Sequence, residues 1–104
     1  MAEIRWTLTA ADDVRLLEEW IARDSPLNAV DFTERLIGSA EKLAESPLLG
    51  RIVPEFNQDR LHELIFRGYR IVYSVEGSFV TVLRVIHGAR DMRRLANREP
   101  WSFE

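Results

Sequence analysis

The sequence has no cysteine, a single lysine (Lys42), two histidines, four prolines and five glycines in 104 residues. Without cysteine, disulfide scaffolds, thiolate zinc sites and cysteine nucleophiles are excluded together. Two histidines with no accompanying carboxylate cluster give no metal site. There is no uninterrupted run of about 18 apolar residues, hence no transmembrane helix is expected. The start, Met1-Ala2-Glu3-Ile4-Arg5, lacks the basic-then-apolar order of a secretory signal. The expectation is a cytoplasmic protein without membrane contact. No phosphate-cradling glycine loop and no catalytic triad is visible, and no cofactor is expected.

What is present is enough apolar material for a core: 46% hydrophobic and 10% aromatic residues in 12.1 kDa. Disorder is excluded, and one domain spanning residues 1–104 is expected. The formal charge of −3 argues against a protein coated in positive charge. That total hides an asymmetry. Met1 to Asp59 carry 6 basic and 12 acidic residues, a balance of −6, whereas Arg60 to Glu104 carry 8 and 5, a balance of +3. All eight of the latter cations are arginines, which points to a local anionic partner for the second part.

Ile4, Trp6 and Leu8 alternate with polar residues, the period of a half-buried strand. Thr9 is placed to cap a helix with Asp12 in its first turn. Val14, Leu17 and Ile21 form that helix's apolar stripe, widened by Leu16 and Trp20, so Trp6 and Trp20 are expected in the core. Asp24-Ser25-Pro26 breaks and restarts the chain, with Ser25 as cap and Pro26 at the first helical position. Ala29, Phe32, Leu36, Ala40 and Leu43 follow at helical spacing, completing a helical hairpin. Residues 46–60 read as an ordered connecting loop. Strands are expected at about Leu61–Phe66, Tyr69–Val75 and Phe79–His87, joined by Arg67-Gly68 and Glu76-Gly77-Ser78 into a meander. A short helix, about Asp91–Arg98, and a tail from Pro100 close the chain. The fold class is therefore α+β: an N-terminal strand and a helical hairpin packed on one face of an antiparallel sheet.

Strict alternation puts Tyr69, Ile71, Tyr73 and Val75 on one face of their strand and Arg70, Val72 and Ser74 on the other. In the last strand it sets Phe79, Thr81, Leu83 and Val85 against Val80, Val82, Arg84 and Ile86. A hairpin covers only one face. The other would show Arg70 and Arg84 among Val72, Val82 and Ile86, a mixed surface suited to a partner. The competing reading folds the C-terminal segment over it and pairs these arginines with Glu63 or Asp91. Arginine forks bind carboxylate or phosphate bidentately but make poor general bases. His87, at a strand end, reads first as a structural hydrogen-bonder, and His62 as a surface or edge residue. Trp101 and Phe103 are either a latch onto the domain or an anchor for a partner.

Three runs then carry a resemblance: Pro47 to Glu55, Glu63 to Tyr73 (with Gly-Tyr-Arg-Ile-Val-Tyr) and Val82 to Asp91 (with Val-Ile-His-Gly-Ala-Arg-Asp). With the element order, they make the whole chain resemble the RelE/ParE superfamily, toxins of bacterial type II toxin–antitoxin pairs. The resemblance implies a cytoplasmic toxin neutralised by a cognate antitoxin whose C-terminal segment folds onto it. RelE-like members cleave mRNA in the ribosome without a metal; ParE-like members inhibit DNA gyrase. Arg70 and Arg90 match two arginines of RelE-type cleavage, and without a lysine or tyrosine there only His87 or His62 could act as general acid or base, so Arg70, His87 and Arg90 would form an atypical nuclease site. The first meander strand, however, has Leu61, His62, Glu63 and Leu64 where such nucleases carry lysines, and Glu63 would repel a phosphate. Nor is there a tyrosine in the C-terminal helix, where Ala96 stands near the expected place. The resemblance thus implies a ParE-like gyrase inhibitor rather than an enzyme, touching DNA only through gyrase or the antitoxin complex. The alternatives are a ribosome-dependent endoribonuclease and a non-toxic, antitoxin-binding paralogue. The partner surface is expected at Arg67, Tyr69, Arg70, Val72, Arg84, Ile86, Arg90, Arg93, Arg94 and Trp101.

Overall fold

The computed structural model describes residues 1–88. Strand β1 (Glu3–Trp6) runs directly into helix α1 (Leu8–Ala22), followed by α2 (Pro26–Glu41) and a single 3₁₀ turn, Lys42–Ala44. Four strands complete the described chain: β2 (Arg51–Ile52), β3 (Leu61–Phe66), β4 (Tyr69–Glu76) and β5 (Phe79–His87). The sheet order is β1-β5-β4-β3-β2. The α+β hairpin-on-sheet architecture and the three-strand meander are as expected. The sheet is mixed rather than purely antiparallel, because β1 lies parallel to β5. The expected helix near 91–98 lies outside the described residues.

Helix α1 starts two residues earlier than the spacing suggests. Thr7, not Thr9, is the cap: its hydroxyl accepts from the Ala10 N–H at 3.0 Å and donates to the Leu83 carbonyl at 3.1 Å. The Thr7 N–H also donates to the Val82 carbonyl at 3.0 Å. The cap is thus tied to the sheet, and strand passes into helix without a loop. Ser25 caps α2 as expected, accepting from the Asn28 N–H at 3.2 Å, with Pro26 in the first turn.

The helices bury Ala10, Val14, Leu17, Leu36 and Ala40 against Ile71, Val82 and Val85. Trp20 does not join them. It is 62% exposed, as Leu16 is half exposed, because both lie on the flank of the Val14–Leu17–Ile21 stripe. Trp6 does pack against this core, half-buried. Leu43, Tyr73 and Val80 make a second helix-side cluster.

The opposite face is closed too, contrary to expectation. Val53, Leu61, Val72, Leu83 and Ile86 form a buried cluster there, with Phe56 packed against it. Two devices produce it. The loop after α2 contains β2, which pairs with Glu63 and His62 and brings Val53 onto the sheet. A β-bulge shifts the register from Val72↔Arg84 to Tyr73↔Val82, so Leu83 is an extra residue. Alternation therefore breaks inside β5. Val82 and Val85 share the helix side, while Leu83 and Ile86 share the other. Pairing with β2 also buries His62, which stacks on Tyr73 at 5.6 Å rather than lying at the surface.

Candidate functional site

Four arginines of the basic second part are described, and the sheet sorts them by face. Arg70 sits between Tyr69 and Ile71 on β4 and points away from the helices. It is 4% exposed. Its NH1 and NH2 donate to the two Glu55 oxygens at 3.0 and 2.7 Å, and its Nε donates to Glu63 Oε1. Glu63 is itself buried, and its other oxygen accepts from Arg51 Nε at 2.7 Å. Arg51, Glu63, Arg70 and Glu55 thus alternate in sign across β2, β3, β4 and the loop. The hydrogen bonds from Arg70 hold the Glu55 carboxyl below its ordinary pKa, and the same contact raises that of Arg70. The two carboxylates occupy the positions an external phosphate would need.

The loop that brings Glu55 here is pinned further back. Tyr73 OH accepts from the Gly50 N–H and donates to the Pro47 carbonyl, both at 2.9 Å. A Cβ at position 50 would lie 2.3 Å from the Glu63 carbonyl oxygen, so only glycine allows this approach. Burial pushes the Tyr73 hydroxyl pKa up, partly offset by its hydrogen bond with the Gly50 backbone.

Arg84 is committed as well. Its Nε and NH2 donate to Asp13 of α1 at 2.8 and 3.2 Å, and Asp13 also accepts from the Val85 N–H at 2.9 Å. Strand β1 ends its pairing at Val82. Beyond it, the Asp13 carboxylate stands in for a neighbouring strand. Arg60 pairs with Glu76 at 2.9 Å.

Arg67 differs from these three. It occupies the first position of the two-residue β3–β4 turn with φ +47°, followed by Gly68 at +86°, the left-handed geometry of a tight hairpin. Its guanidinium lies 5.1 Å from the Phe66 ring centre and 5.8 Å from that of Phe32. Phe32 contacts Phe66 and Tyr69 edge-on at 5.4 and 5.7 Å. Tyr69 lies opposite His87 in the sheet, with ring centres 4.8 Å apart. Among the described residues Arg67 has no carboxylate partner. Burial pushes the Tyr69 hydroxyl pKa up.

The residues singled out in the sequence therefore fall into separate places. Arg67, Tyr69 and His87 gather on the helix side of the sheet, at its turn end. Arg70, Val72 and Ile86 lie on the far side, buried rather than displayed. Arg70 is opposite Ile86 and His87 opposite Tyr69, so Arg70 and His87 project to opposite faces and do not converge. Arg90, Arg93, Arg94 and Trp101 lie outside the described residues. Sequence reasoning missed Glu55, Asp13 and the Phe32–Phe66 pair. Glu55 sits in a loop without periodicity, and Asp13 falls on the helix face read as solvated. Among the described residues no group of histidines and carboxylates could hold a metal ion, and no helix is long and apolar enough to cross a membrane. Exposed apolar side chains lie on the hairpin (Leu8, Leu16, Trp20, Leu27 and Val30) and on the following loop and outer strands (Leu48, Leu49, Ile52 and Ile65).

Comparison with known proteins agrees with this architecture. The model of a family described as the ParE toxin of the type II toxin–antitoxin system parDE matches residues 4–92. Toxin RelE2 of Caulobacter vibrioides is 35% identical over 91 residues, covering 86% of this chain and 99% of that protein. Among solved structures, a chain of the chromosomal ParDE toxin–antitoxin system from P. aeruginosa superposes with a TM-score of 0.72 at 18% identity. The match covers 85% of this chain and 97% of that one, a likeness of fold.

Proposed function

This chain belongs to the ParE toxin family of type II toxin–antitoxin systems, and from that premise we propose that it is a ParE-like inhibitor of DNA gyrase, neutralised by a cognate antitoxin. The observation that carries this reading is the closure of Arg70. Cleaving RNA requires a group that takes the 2′-hydroxyl proton and cations at the scissile phosphate, all converging on one point. Arg70 is buried and neutralised by Glu55 and Glu63, and His87 projects from the other face of the sheet. A target recognised by surface contacts asks for no such convergence.

The antitoxin's place is the outer flank of the helical hairpin. Leu16, Trp20, Leu27 and Val30 leave apolar surface in water there, and an amphipathic segment that folds on binding would cover it. Supercoiling and cleavage-complex assays with purified gyrase test the target: inhibition at stoichiometric toxin, relieved by antitoxin, is expected. No effect at large excess removes gyrase as the target.

A second reading, a ribosome-dependent endoribonuclease, draws on the 35% identity to Toxin RelE2. It requires mRNA cut on programmed ribosomes and loss of cutting in Arg90→Ala. Intact mRNA in that assay excludes it.

A further inference from the structure

The arginine excess of the second part is largely absorbed inside the fold. Arg60, Arg70 and Arg84 are each neutralised by named carboxylates, leaving Arg67 as the described cation of that part without one. We infer that Arg67 and the rings around it form a nucleotide-binding platform on the helix side of the sheet, taking a phosphate together with a stacked base.

Three features point to this chemistry. The first is backbone strain. Arg67 holds φ +47° at a turn position where glycine or asparagine sits more comfortably, and such strained positions are enriched at binding sites. The second is the guanidinium itself. Lying 5.1 Å from the Phe66 ring centre and 5.8 Å from that of Phe32, it has its N–H donors free of any described carboxylate and is well suited to a phosphate. The third is the neighbouring ring pair. His87 is exposed and tilted against half-buried Tyr69, which offers a base both a ring face and hydrogen-bonding groups. Gly88, whose N–H donates to the Gly68 carbonyl at 2.7 Å, fixes this strand end beside the turn. Arg90, Asp91, Arg93 and Arg94 follow within six residues of it in sequence. The platform lies on the opposite face from Arg70 and is independent of whether gyrase or the ribosome is the target.

The same chemistry is offered by a free nucleotide and by a nucleotide unit within single-stranded DNA. The test titrates the full-length protein with ATP, with AMP and with a fluorescent oligothymidylate of twelve residues, following anisotropy or ligand line-broadening at two salt concentrations. At least one of these ligands is expected to bind with affinity that falls as salt rises. Preferred binding of AMP or ATP identifies a free nucleotide, and preferred binding of the oligomer a strand. Arg67→Gly suits the turn geometry and keeps the fold, and it should weaken binding by about tenfold or more. Arg67→Lys, which keeps the charge but loses the planar fork, should be intermediate, and His87→Ala should weaken binding several-fold. Arg15→Ala removes an equal charge from α1 and should change nothing. Absence of binding to all three ligands, equal affinity in Arg67→Gly, or equal capture of a poly-glutamate peptide would each overturn the inference. The last outcome would make the site a simple anion or acidic-peptide contact.

Discussion

Arg67 and Arg70 stand three residues apart on the same hairpin, yet they have opposite fates. Arg70 enters the sheet on the face that the β2 loop covers, so it must be neutralised, and Glu55 and Glu63 do so with three hydrogen bonds. Arg67 stays in the turn, on the face of the helices, where aromatic rings support it without a described counter-charge. Burial turns an arginine into a structural cross-link, whereas exposure over rings leaves it available to a ligand. An arginine count or a motif cannot tell these apart, because the difference lies in which carboxylates the fold brings near.

The sharpest way to break this contrast is to remove the buried member. Arg70→Ala leaves Glu63 charged and without its buried partner, and the loss of stability should be about 3–5 kcal/mol, read by denaturant unfolding. Replacing Arg70 and Glu63 together by methionine and leucine should recover most of it. If Arg70→Ala is tolerated like a surface change, the cross-link reading fails. Asp13→Ala tests the other committed arginine. It strands the Val85 N–H and Arg84 together and should cost about 1–3 kcal/mol, with faster hydrogen exchange confined to the end of β5.

Acid separates the two regions without mutation. The folded-state pKa of Glu55 lies below its ordinary value of 4.5. Its stabilising contribution is therefore complete above about pH 4.5 and is lost as pH falls through the lowered folded value. Thermal melts below pH 4.5 should show a loss that Glu55→Gln reduces, since the amide has no proton to take up. The turn around Arg67 should show no matching acid transition. Smallest of all, Arg67→Gly relieves a left-handed conformation and should change stability by less than about 1 kcal/mol, toward greater stability. A large destabilisation would mean that Arg67, too, is a structural residue.

Much of the fold was legible from local pattern. The meander strands fall within a residue of expectation because glycine and the hairpin turns punctuate them. Ser25-Pro26 marks the start of α2 by cap chemistry alone. The closed second face was not legible. It depends on a one-residue bulge and a two-residue strand, each too short to leave a period in the sequence. The same cause misled the reading of Val72, Ile86 and His62 as exposed or at an edge. Trp20 misled in the other direction: a large aromatic beside an apolar stripe reads as core, yet a shift around the helix leaves it in water.

By itself the sequence determined the order of elements, the uneven charge and the family resemblance, since these rest on local spacing and residue type. It also placed Arg67, Tyr69, Arg70 and His87 at the ends of one hairpin and its neighbouring strand. Only the tertiary structure decided which face each occupies and which carboxylates meet it. Those outcomes depend on the β2 pairing that carries in Glu55 and on the register of β4 against β5. Register is a long-range property, in which one inserted residue reverses the faces of every residue beyond it.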